Sequence, residues 1–448
     1  MSGNIYKRRF SENPFLRVIC AAVLCGIYIC FAVKFCRTSC GISAGIIYIA
    51  VCCVMTFLLV LSRGTKKIKR SVFIRSADAA GTLYPLFSFW AFIFLFAFDF
   101  FYGLFFSRLP EAEYSLAFSF MLSAVLMACG IKQATSLGTT EVSLVSDKLP
   151  KGKVIKVLHL TDLHLSRYNS SRLLEMSVEI AKKTQPDIIA VTGDVADGEI
   201  ECTQKIVTHY EKRYLADKLV EDVANKAAEF AERCGADGKS VHDRAEDFER
   251  EFAKHDSTDA ARERDAALFR AMPHKCGMFA VTGNHDYYDN IDNAVDFMRR
   301  AGMTVLDNEF VEDCGIVVAG VSDSAHIDRA KWGLSKSETV LVNARSAYPD
   351  KFILLLRHRP VLEYGAHRLF DLQLSGHTHG GQLFPLFTSR LFFRSLPRGL
   401  KKLKDGSMLC VSNGIGYVGP PVRLFAPPEV VIITVTGNGD VDNASIEA

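Results

Sequence analysis

Leu374-Ser-Gly-His-Thr-His-Gly-Gly-Gln382 is the stretch on which the interpretation of this chain depends. Its two histidines, His377 and His379, stand two residues apart with glycines on both sides. Alternate side chains of an extended segment share one face, so both imidazoles can reach neighbouring metal positions. Two polar residues in a turn would explain the pattern equally well if it stood alone. The rest of the chain has to decide between these interpretations.

The N-terminal part of the chain is far more apolar than the rest. The 448 residues are 49% hydrophobic and carry a net charge of +3, a balance that disfavours a nucleic-acid-binding protein. Runs of about 18–21 apolar residues are long enough to cross a bilayer. Residues 1–131 contain four such runs, and we therefore predict about four transmembrane helices there. The runs are Leu16–Phe35, Ile42–Leu61, Ala80–Phe98 and Tyr114–Ile131. Core helices of a soluble protein are the alternative, which the lack of a polar face disfavours.

Basic residues are unevenly distributed around these runs. They are frequent before the first run and between the second and third, and scarce in the other two loops. The positive-inside rule therefore predicts a multi-pass protein of the cell membrane, with cytoplasmic termini and everything after the fourth run on the cytoplasmic side. One miscounted helix would reverse this prediction. Asp99, near the end of the third run, is either a functional residue at membrane depth or an interfacial one.

Five cysteines lie beyond the membrane runs: Cys202, Cys234, Cys276, Cys314 and Cys410. Their number is odd and none of them has CxxC spacing. The pattern is not that of a disulfide framework, and it suits a reducing compartment.

Five apolar strands in the remaining chain end in polar turns. They follow a predicted linker, residues 132–153, that contains one short strand, Glu141–Val145. A strand, a helix and a strand in succession predict a parallel βαβ unit whose ligands lie beyond the carboxyl ends of its strands. Five of the 12 histidines fall at such strand ends. The strand-end residues are Asp162, His164, Asp194, Asn284, His285, Asp286, His358, His377 and His379.

This set of residue types suits a pair of metal ions. Divalent cations of intermediate hardness take mixed nitrogen and oxygen ligands, and one carboxylate can bridge two of them. Two such cations activate a water molecule and neutralise charge on a phosphoryl group during in-line displacement. The chemistry that the sequence predicts is therefore phosphoester hydrolysis.

The order of the motifs resembles that of the calcineurin-like metallophosphoesterase superfamily. Its succession DxH, GD, GNH(D/E), single His and GHxH is matched by Asp162-Leu-His164, Gly193-Asp194, Gly283-Asn-His-Asp286, His358 and Gly376-His-Thr-His379. The longer form GHTHGGQ resembles a branch with membrane-anchored bacterial phosphoesterases, some of which hydrolyse UDP-2,3-diacylglucosamine. The resemblance implies a four-layer α/β/β/α sandwich of two mixed sheets over residues 154–436, with a helical insertion, 199–273, and a polar tail, 437–448.

The resemblance also implies two divalent metal ions, of manganese, iron, zinc or a similar element. The implied ligands of the first ion are Asp162, His164 and His379. Those of the second ion are Asn284, His358 and His377, and Asp194 would bind both ions. His285 would donate a proton to the leaving oxygen or bind the phosphate, and Asp286 would fix its ring. The alternative for His285 is that it is a further metal ligand.

Three features leave alternatives open. Arg357 and Arg359 flank His358, and these guanidinium groups would either bind a second phosphate or simply be solvated. The highly charged insertion is either a cap over the site or an exposed surface for a partner. The apolar and aromatic segment Leu383–Arg394 is either a surface for acyl chains and the bilayer or a buried part of the second sheet.

These observations predict a membrane-anchored hydrolase of phosphoester or pyrophosphate bonds, with a lipid-linked substrate such as UDP-2,3-diacylglucosamine. One alternative is a phosphatase or phosphodiesterase that acts on soluble nucleotides or phosphoproteins. Another is a non-catalytic membrane scaffold or sensor with the same fold. A scaffold would be expected to have lost metal ligands, and none is missing from this sequence. The sequence predicts no oligomeric state.

Overall fold

The computed structural model describes residues 14–64, 72–165, 172–195, 262–287, 291–323, 336–362, 366, 368–382 and 398–438. They belong to two compact units, one helical and one with mixed strands and helices. Most of the predicted insertion, Leu383–Arg394 and nearly all of the tail lie outside the described residues. The alternatives for the insertion and for Leu383–Arg394 therefore stay predictions.

Four long helices form the N-terminal unit: α1 Pro14–Cys36, α2 Gly41–Gly64, α3 Val72–Phe106 and α4 Ala112–Ala134. In the described residues, α2, α3 and α4 contain apolar segments long enough to cross a membrane, and the apolar part of α1 is shorter. The helix α3 spans 35 residues and begins eight residues before the predicted run. A hydropathy pattern locates only the continuous apolar part of a helix, so it misses these first two turns, which contain Arg75 and Asp78.

An ion pair links α1 to α3. Lys34 Nζ lies 2.7 Å from Asp99 Oδ2, and the Ser115 hydroxyl of α4 donates a 2.7 Å hydrogen bond to the other carboxylate oxygen. The Lys34 side chain is 10% exposed, so the pair is largely shielded from solvent. Ionisable groups among apolar helices require such a counter-charge. Asp99 therefore connects three of the four helices.

Two six-stranded sheets form the second unit. In chain order the strands are β1 Gly138–Ser146, β2 Val154–Leu160, β3 Ile188–Thr192, β4 Met278–Val281, β5 Thr304–Val305, β6 Glu309–Asp313, β7 Ile316–Val321, β8 Ile353–Arg357, β9 Leu372–Ser375, β10 Gly399–Lys402, β11 Met408–Val411 and β12 Glu429–Gly437. The first sheet has the order β1-β12-β2-β3-β4-β5 and the second β10-β11-β9-β8-β7-β6. Each sheet contains parallel and antiparallel pairs, which confirms the predicted mixed α/β class.

The core lies on three faces of these sheets. Val157 and Ile188 of the first sheet pack with Leu354 and other residues of the second in one buried cluster between the sheets. Helices Arg172–Thr184 and Ile291–Arg300 cover the outer face of the first sheet. Lys336–Ala347 covers that of the second. The four layers are therefore helix, sheet, sheet and helix.

The predicted linker contributes a strand to the first sheet. β1 pairs in parallel with β12 over nine residues, from Gly138 to Ser146. Its residues are half-buried or exposed because it is an edge strand, and the apolar signal in the sequence is correspondingly weak. β1 contains the predicted strand Glu141–Val145 and extends it at both ends, whereas the hairpin of β6 and β7 was not predicted.

The prediction of unpaired cysteines is wrong for one pair. Cys276, just before β4, forms a disulfide with Cys314 in the turn between β6 and β7, and their Cα atoms are 6.0 Å apart. The two residues belong to different sheets and meet only because the sheets stack, which spacing along the sequence does not reveal. The cysteines therefore no longer support a reducing compartment.

Candidate metal centre

The predicted site residues lie where strands of both sheets end. Because β2, β3 and β4 are parallel neighbours, as are β8 and β9, their polar ends meet at one edge of the sandwich. Hydrogen bonds join the loops there: Asp162 N donates to Gly193 O at 3.1 Å, and His164 N donates to Asp194 O at 3.0 Å. Residues about thirty positions apart in sequence are thereby brought together.

Asp162, His164 and His379 form a first cluster. The Nε2 atoms of the two histidines are 3.0 Å apart, and His379 Nε2 lies 3.3 Å from Asp162 Oδ1. All three side chains are buried. The Asp162 carboxylate also accepts the backbone N–H of His377, at 2.9 Å from Oδ2. A Cβ atom at Gly376 would collide with that carboxylate, which explains why a glycine precedes the His-Thr-His sequence.

Asp194, His358 and His377 form a second cluster. His358 Nε2 lies 3.1 Å from Asp194 Oδ2 and 3.2 Å from His377 Nδ1. The other ring nitrogen of His358, Nδ1, donates to Thr192 O at 2.8 Å. That bond leaves Nε2 of His358 as the nitrogen that can bind a metal. Unlike the first cluster, this one contains a half-buried member, His377.

Asp194 lies between the two clusters. Its Oδ2 is 3.1 Å from His358 Nε2 and 3.8 Å from His164 Nε2, so one carboxylate faces a histidine of each cluster. Its Oδ1 accepts the backbone N–H of His285 at 2.7 Å. Asn284, which precedes His285 and is 7% exposed, is therefore held at the same edge. This is the arrangement that a bridging carboxylate requires.

The backbone of the candidate ligands is strained. Asp162, His164, Asp194, His377 and His379 have φ angles between 47° and 69°. Non-glycine residues enter this left-handed region at a cost of about 1–3 kcal/mol each. Eleven such residues occur in the described part of the chain, and these five are nearly half of them. Strain concentrated in this way is typical of a functional site.

The buried carboxylates need positive charge beside them. Burial raises the pKa of Asp194, but neighbouring imidazoles, His358 first, lower it well below its usual range. Burial lowers the pKa of His358, and the carboxylates of Asp194 and Asp162 raise it, to about 10. Without a cation, His358 therefore carries the proton that balances the carboxylates. A divalent cation would supply that charge instead.

The distances and the donor set fit metal ions. Two ligand atoms with bonds of about 2.0–2.2 Å, at angles between square and tetrahedral, are roughly 2.8–3.6 Å apart. The nitrogen pairs of His164 with His379 and of His358 with His377, at 3.0 and 3.2 Å, fall within this range. A hydrogen bond between two neutral imidazole nitrogens uses one proton and satisfies only those two atoms. A metal cation, in contrast, can bind both nitrogens and a carboxylate oxygen at once.

His285 and Asp286 follow the same strand end. The His285 ring packs edge-on against His164, with centroids 4.8 Å apart, and is half-buried. Asp286 accepts backbone N–H groups from Gly283 and Asp194, at 2.7 and 3.0 Å. Asp286 therefore holds the loop that carries Asp194, while the predicted role of fixing the His285 ring stays a prediction.

The two arginines beside His358 differ in their surroundings. Arg357 is buried and donates to Val361 O at 3.2 Å. Arg359 forms an ion pair with Asp323, with Nε 2.9 Å from Oδ1 and Nη2 3.0 Å from Oδ2. Burial lowers the pKa of His377, and positive charges that include Arg359 lower it further. Neither arginine is merely solvated, and Arg359 is the one near the second cluster.

Sequence reasoning missed Arg423. Its guanidinium lies 3.2 Å from His379 Nδ1, and its side chain is fully buried. Burial lowers the pKa of Arg423 to about 10, so the group keeps its charge at neutral pH. The signal in the sequence was a single arginine within the apolar, proline-rich stretch Pro420-Pro421-Val-Arg-Leu-Phe-Ala-Pro427. A charged residue in such a context is rarely buried unless it has partners.

Comparison with known proteins bears on this site directly. Residues 155–381, slightly more than half of the chain, match the family model described as calcineurin-like phosphoesterase. An Aquifex aeolicus protein described as an uncharacterized metallophosphoesterase is 32% identical over 307 residues, which are 68% of this chain and 94% of that protein. A Danio rerio transmembrane protein with metallophosphoesterase domain is 24% identical over 330 residues, 70% of this chain and 61% of that protein.

Solved structures also match. A dimetal phosphatase from Danio rerio has 12% sequence identity and a TM-score of 0.31, with 60% of this chain and 89% of that chain covered. A protein of Thermus thermophilus has 14% identity and a TM-score of 0.31, with 59% and 91% covered.

Proposed function

This chain belongs to the calcineurin-like phosphoesterase family, and on that premise we propose that its two clusters hold a pair of divalent metal ions for hydrolysis of a phosphoester or pyrophosphate bond. It is a metal-dependent phosphoesterase with apolar helices that associate it with a membrane. The observation that supports the two-metal proposal most is the position of Asp194, which faces a histidine of each cluster.

Each candidate ligand has one role in this proposal. Asp162, His164 and His379 would hold the first ion, His358 and His377 would hold the second together with Asn284, and Asp194 would bridge the two. When bound, the ions neutralise phosphoryl charge and supply the nucleophile at neutral pH. The chain itself orients these side chains through backbone hydrogen bonds such as that from His358 Nδ1 to Thr192 O.

His285 is the proposed proton donor. It is half-buried, its ring contacts His164, and its backbone is fixed to Asp194, so it stands beside the clusters with access to solvent. An imidazole there can protonate the leaving oxygen or donate a hydrogen bond to the phosphate. His285→Asn should lower kcat by about 10²–10⁴-fold while metal content is unchanged. Loss of metal in that variant would instead make His285 a ligand.

We propose a lipid-linked phosphodiester or pyrophosphate as the substrate, such as UDP-2,3-diacylglucosamine. The apolar helices support this proposal, since helices of that length and composition would anchor the same chain in a lipid bilayer. The guanidinium of Arg359 beside the second cluster supports a substrate with a second phosphate.

The test is a substrate screen with the full chain in detergent, loaded with Mn²⁺. The panel contains UDP-acyl sugars, nucleoside diphosphates, a phosphopeptide and the chromogenic bis-p-nitrophenyl phosphate, and Asp194→Asn is the matched inactive control. We expect removal of metal by chelation to abolish turnover, Mn²⁺ to restore it, and UDP-acyl sugars to give the highest kcat/KM. Full activity of the metal-free protein would refute the two-metal mechanism. Higher kcat/KM for soluble nucleotides or the phosphopeptide would refute the lipid-linked substrate.

We propose the cytoplasmic side for the catalytic unit, because basic residues cluster in the segments predicted to face the cytoplasm. The disulfide between Cys276 and Cys314 favours an oxidising compartment instead. A membrane-impermeant maleimide distinguishes the two sides when it is applied to intact and to opened cells. Both samples are first reduced mildly, because a disulfide sulfur does not react with a maleimide. Labelling of Cys276 in opened cells only then supports the cytoplasmic side, and labelling in intact cells contradicts it.

A further inference from the structure

Arg423 has an unusual environment for a charged side chain. It is fully buried, and it donates to four backbone carbonyls. Nε bonds Gly416 O at 2.9 Å, Nη1 bonds Asn413 O at 2.9 Å and Ala426 O at 3.1 Å, and Nη2 lies 3.3 Å from Gly414 O. A guanidinium offers five N–H donors in a fixed plane, which suits this fan of acceptors. Arg423 therefore holds residues 413–416 and 426 in one conformation.

The segment that Arg423 holds forms a wall of the first cluster. Ile415 N donates to Thr161 O at 3.0 Å, and Gly416 N donates to Asp162 O at 2.7 Å. Gly414 has a φ of 77°, and a Cβ there would come within 2.6 Å of the Asp162 Cβ. The backbone of the segment thus packs directly on a candidate ligand.

Arg423 also reaches a second ligand of the same cluster. Its Nη2 lies 3.2 Å from Nδ1 of His379, on the side of the ring opposite to the Nε2 that faces His164. A guanidinium only donates, and Nδ1 carries the ring proton whenever Nε2 binds a metal, so in the metal-bound state the guanidinium limits rotation of the His379 ring by packing against it and not through a hydrogen bond. Two of the three members of the first cluster are supported by this one side chain, one directly and one through the loop.

We infer that Arg423 is a positioning residue that builds the first metal site, by fixing the His379 ring and clamping residues 413–416 against Asp162. The inference rests on the proposed two-metal function. The positive charge of Arg423 acts in the opposite direction, since it repels a cation. Positioning outweighs this repulsion, because removal of the guanidinium leaves several buried carbonyls without a donor and frees the loop.

Metal binding tests this inference with a readout other than activity. The full chain in detergent, stripped by chelation, is titrated with Mn²⁺, and free Mn²⁺ is followed by its EPR signal. We expect about two sites in the wild type. In Arg423→Lys and Arg423→Met the affinity of one site should fall by about 10–100-fold, the usual effect of losing a residue that orients a ligand.

The two substitutions separate the possible roles. Lysine keeps the charge without the planar fan of donors, and methionine removes the charge, so positioning predicts a loss in both. Tighter binding in Arg423→Met, or two unchanged sites in both variants, would overturn the inference. A wild type that binds no Mn²⁺ would instead refute the proposed function, so the two failures are distinguishable.

Arg345 provides the matched control. It also clamps backbone carbonyls, with Nη1 bonds to Pro349 O and Lys351 O at 3.1 and 2.8 Å, and it pairs with Asp371 at 2.8 Å. It contacts no candidate ligand through these bonds. Arg345→Lys should lower the melting temperature and leave both Mn²⁺ affinities unchanged. An equal loss of affinity in Arg345→Lys would reduce the Arg423 effect to general destabilisation and overturn the inference.

A measurement on the wild type keeps the inference testable if the Arg423 variants do not fold. Hydrogen exchange followed by mass spectrometry compares stripped and Mn²⁺-loaded protein. Loading should slow amide exchange at least tenfold in peptides that cover residues 413–416, and leave residues 348–351 unchanged. Equal exchange of 413–416 in both states would contradict the link between the loop and the metal site.

Discussion

The two candidate metal clusters are built differently. The first, of Asp162, His164 and His379, is buried and closed on one side by the loop that Arg423 clamps. The second contains the half-buried His377 and lies near the Arg359–Asp323 ion pair. The first cluster is thus wholly part of the folded core, whereas the second reaches the surface at one member, His377. We expect the first to keep its ion during turnover and the second to be where ions exchange and substrate enters.

Asp194→Asn should have the largest effect, because it removes the carboxylate that both clusters share. An amide lacks the charge needed to bridge two cations. We expect kcat/KM to fall by more than the roughly 10–100-fold that loss of an outer-shell partner costs. Steady-state kinetics on bis-p-nitrophenyl phosphate measures this. Wild-type turnover in a correctly folded variant would contradict the bridging role.

Substitution of one ligand in each cluster should have the second-largest effect. Chelator added to the loaded wild type should withdraw metal in two phases, the faster from the more open second cluster. His377→Asn should lose the fast phase and His379→Asn the slow one, as followed with a chromogenic chelator. Identical time courses in the two variants would mean that the clusters do not differ in exchange.

Arg359→Gln should have a smaller and selective effect. Loss of one charge-assisted contact to a second phosphate is expected to lower kcat/KM about tenfold for a nucleoside diphosphate. The value for bis-p-nitrophenyl phosphate, which has a single phosphate, should stay the same. Arg359→Lys keeps the charge and serves as the comparison. An equal loss on both substrates would make Arg359 a structural partner of Asp323 only.

The last prediction concerns His159, in β2 before the first cluster, and affects stability at low pH and not turnover. It is fully buried, its Nε2 lies 2.8 Å from the Thr192 hydroxyl, and burial lowers its pKa to about 3. Since the unfolded value is about 6.5, the unfolded chain binds a proton between pH 6.5 and 3 that the folded chain does not. The free energy of unfolding is therefore unaffected by this group above pH 6.5. Below pH 6.5 the group lowers that free energy by about 1.4 kcal/mol per pH unit.

His159→Gln keeps a hydrogen-bonding group and removes this proton uptake. The decrease in melting temperature from pH 7 to pH 5 should be smaller in the variant than in the wild type. Other groups titrate in both proteins and cancel in the comparison. Parallel pH profiles would contradict the effect of burial on His159.

Apolar strands that end in polar residues were visible in the sequence, so the edge of the sandwich and all seven candidate ligands could be predicted. Weak signals were visible only in part, and long-range ones were not. The edge strand β1 was predicted only as Glu141–Val145, because its residues are half-buried or exposed, and Cys276 meets Cys314 only through stacking of the sheets. Arg423 depends on a loop conformation that no short motif encodes. Motif order therefore named the candidate ligands, whose metal binding stays a prediction, and the structure was needed to identify the residues that support them.

The most direct test of the two-metal centre is anomalous scattering from crystals of the full chain loaded with Mn²⁺. The account predicts two peaks about 3.5–4 Å apart, one beside Asp162, His164 and His379, the other beside Asn284, His358 and His377, with Asp194 between them. A single peak, or two peaks too far apart for one carboxylate to touch both, would contradict it.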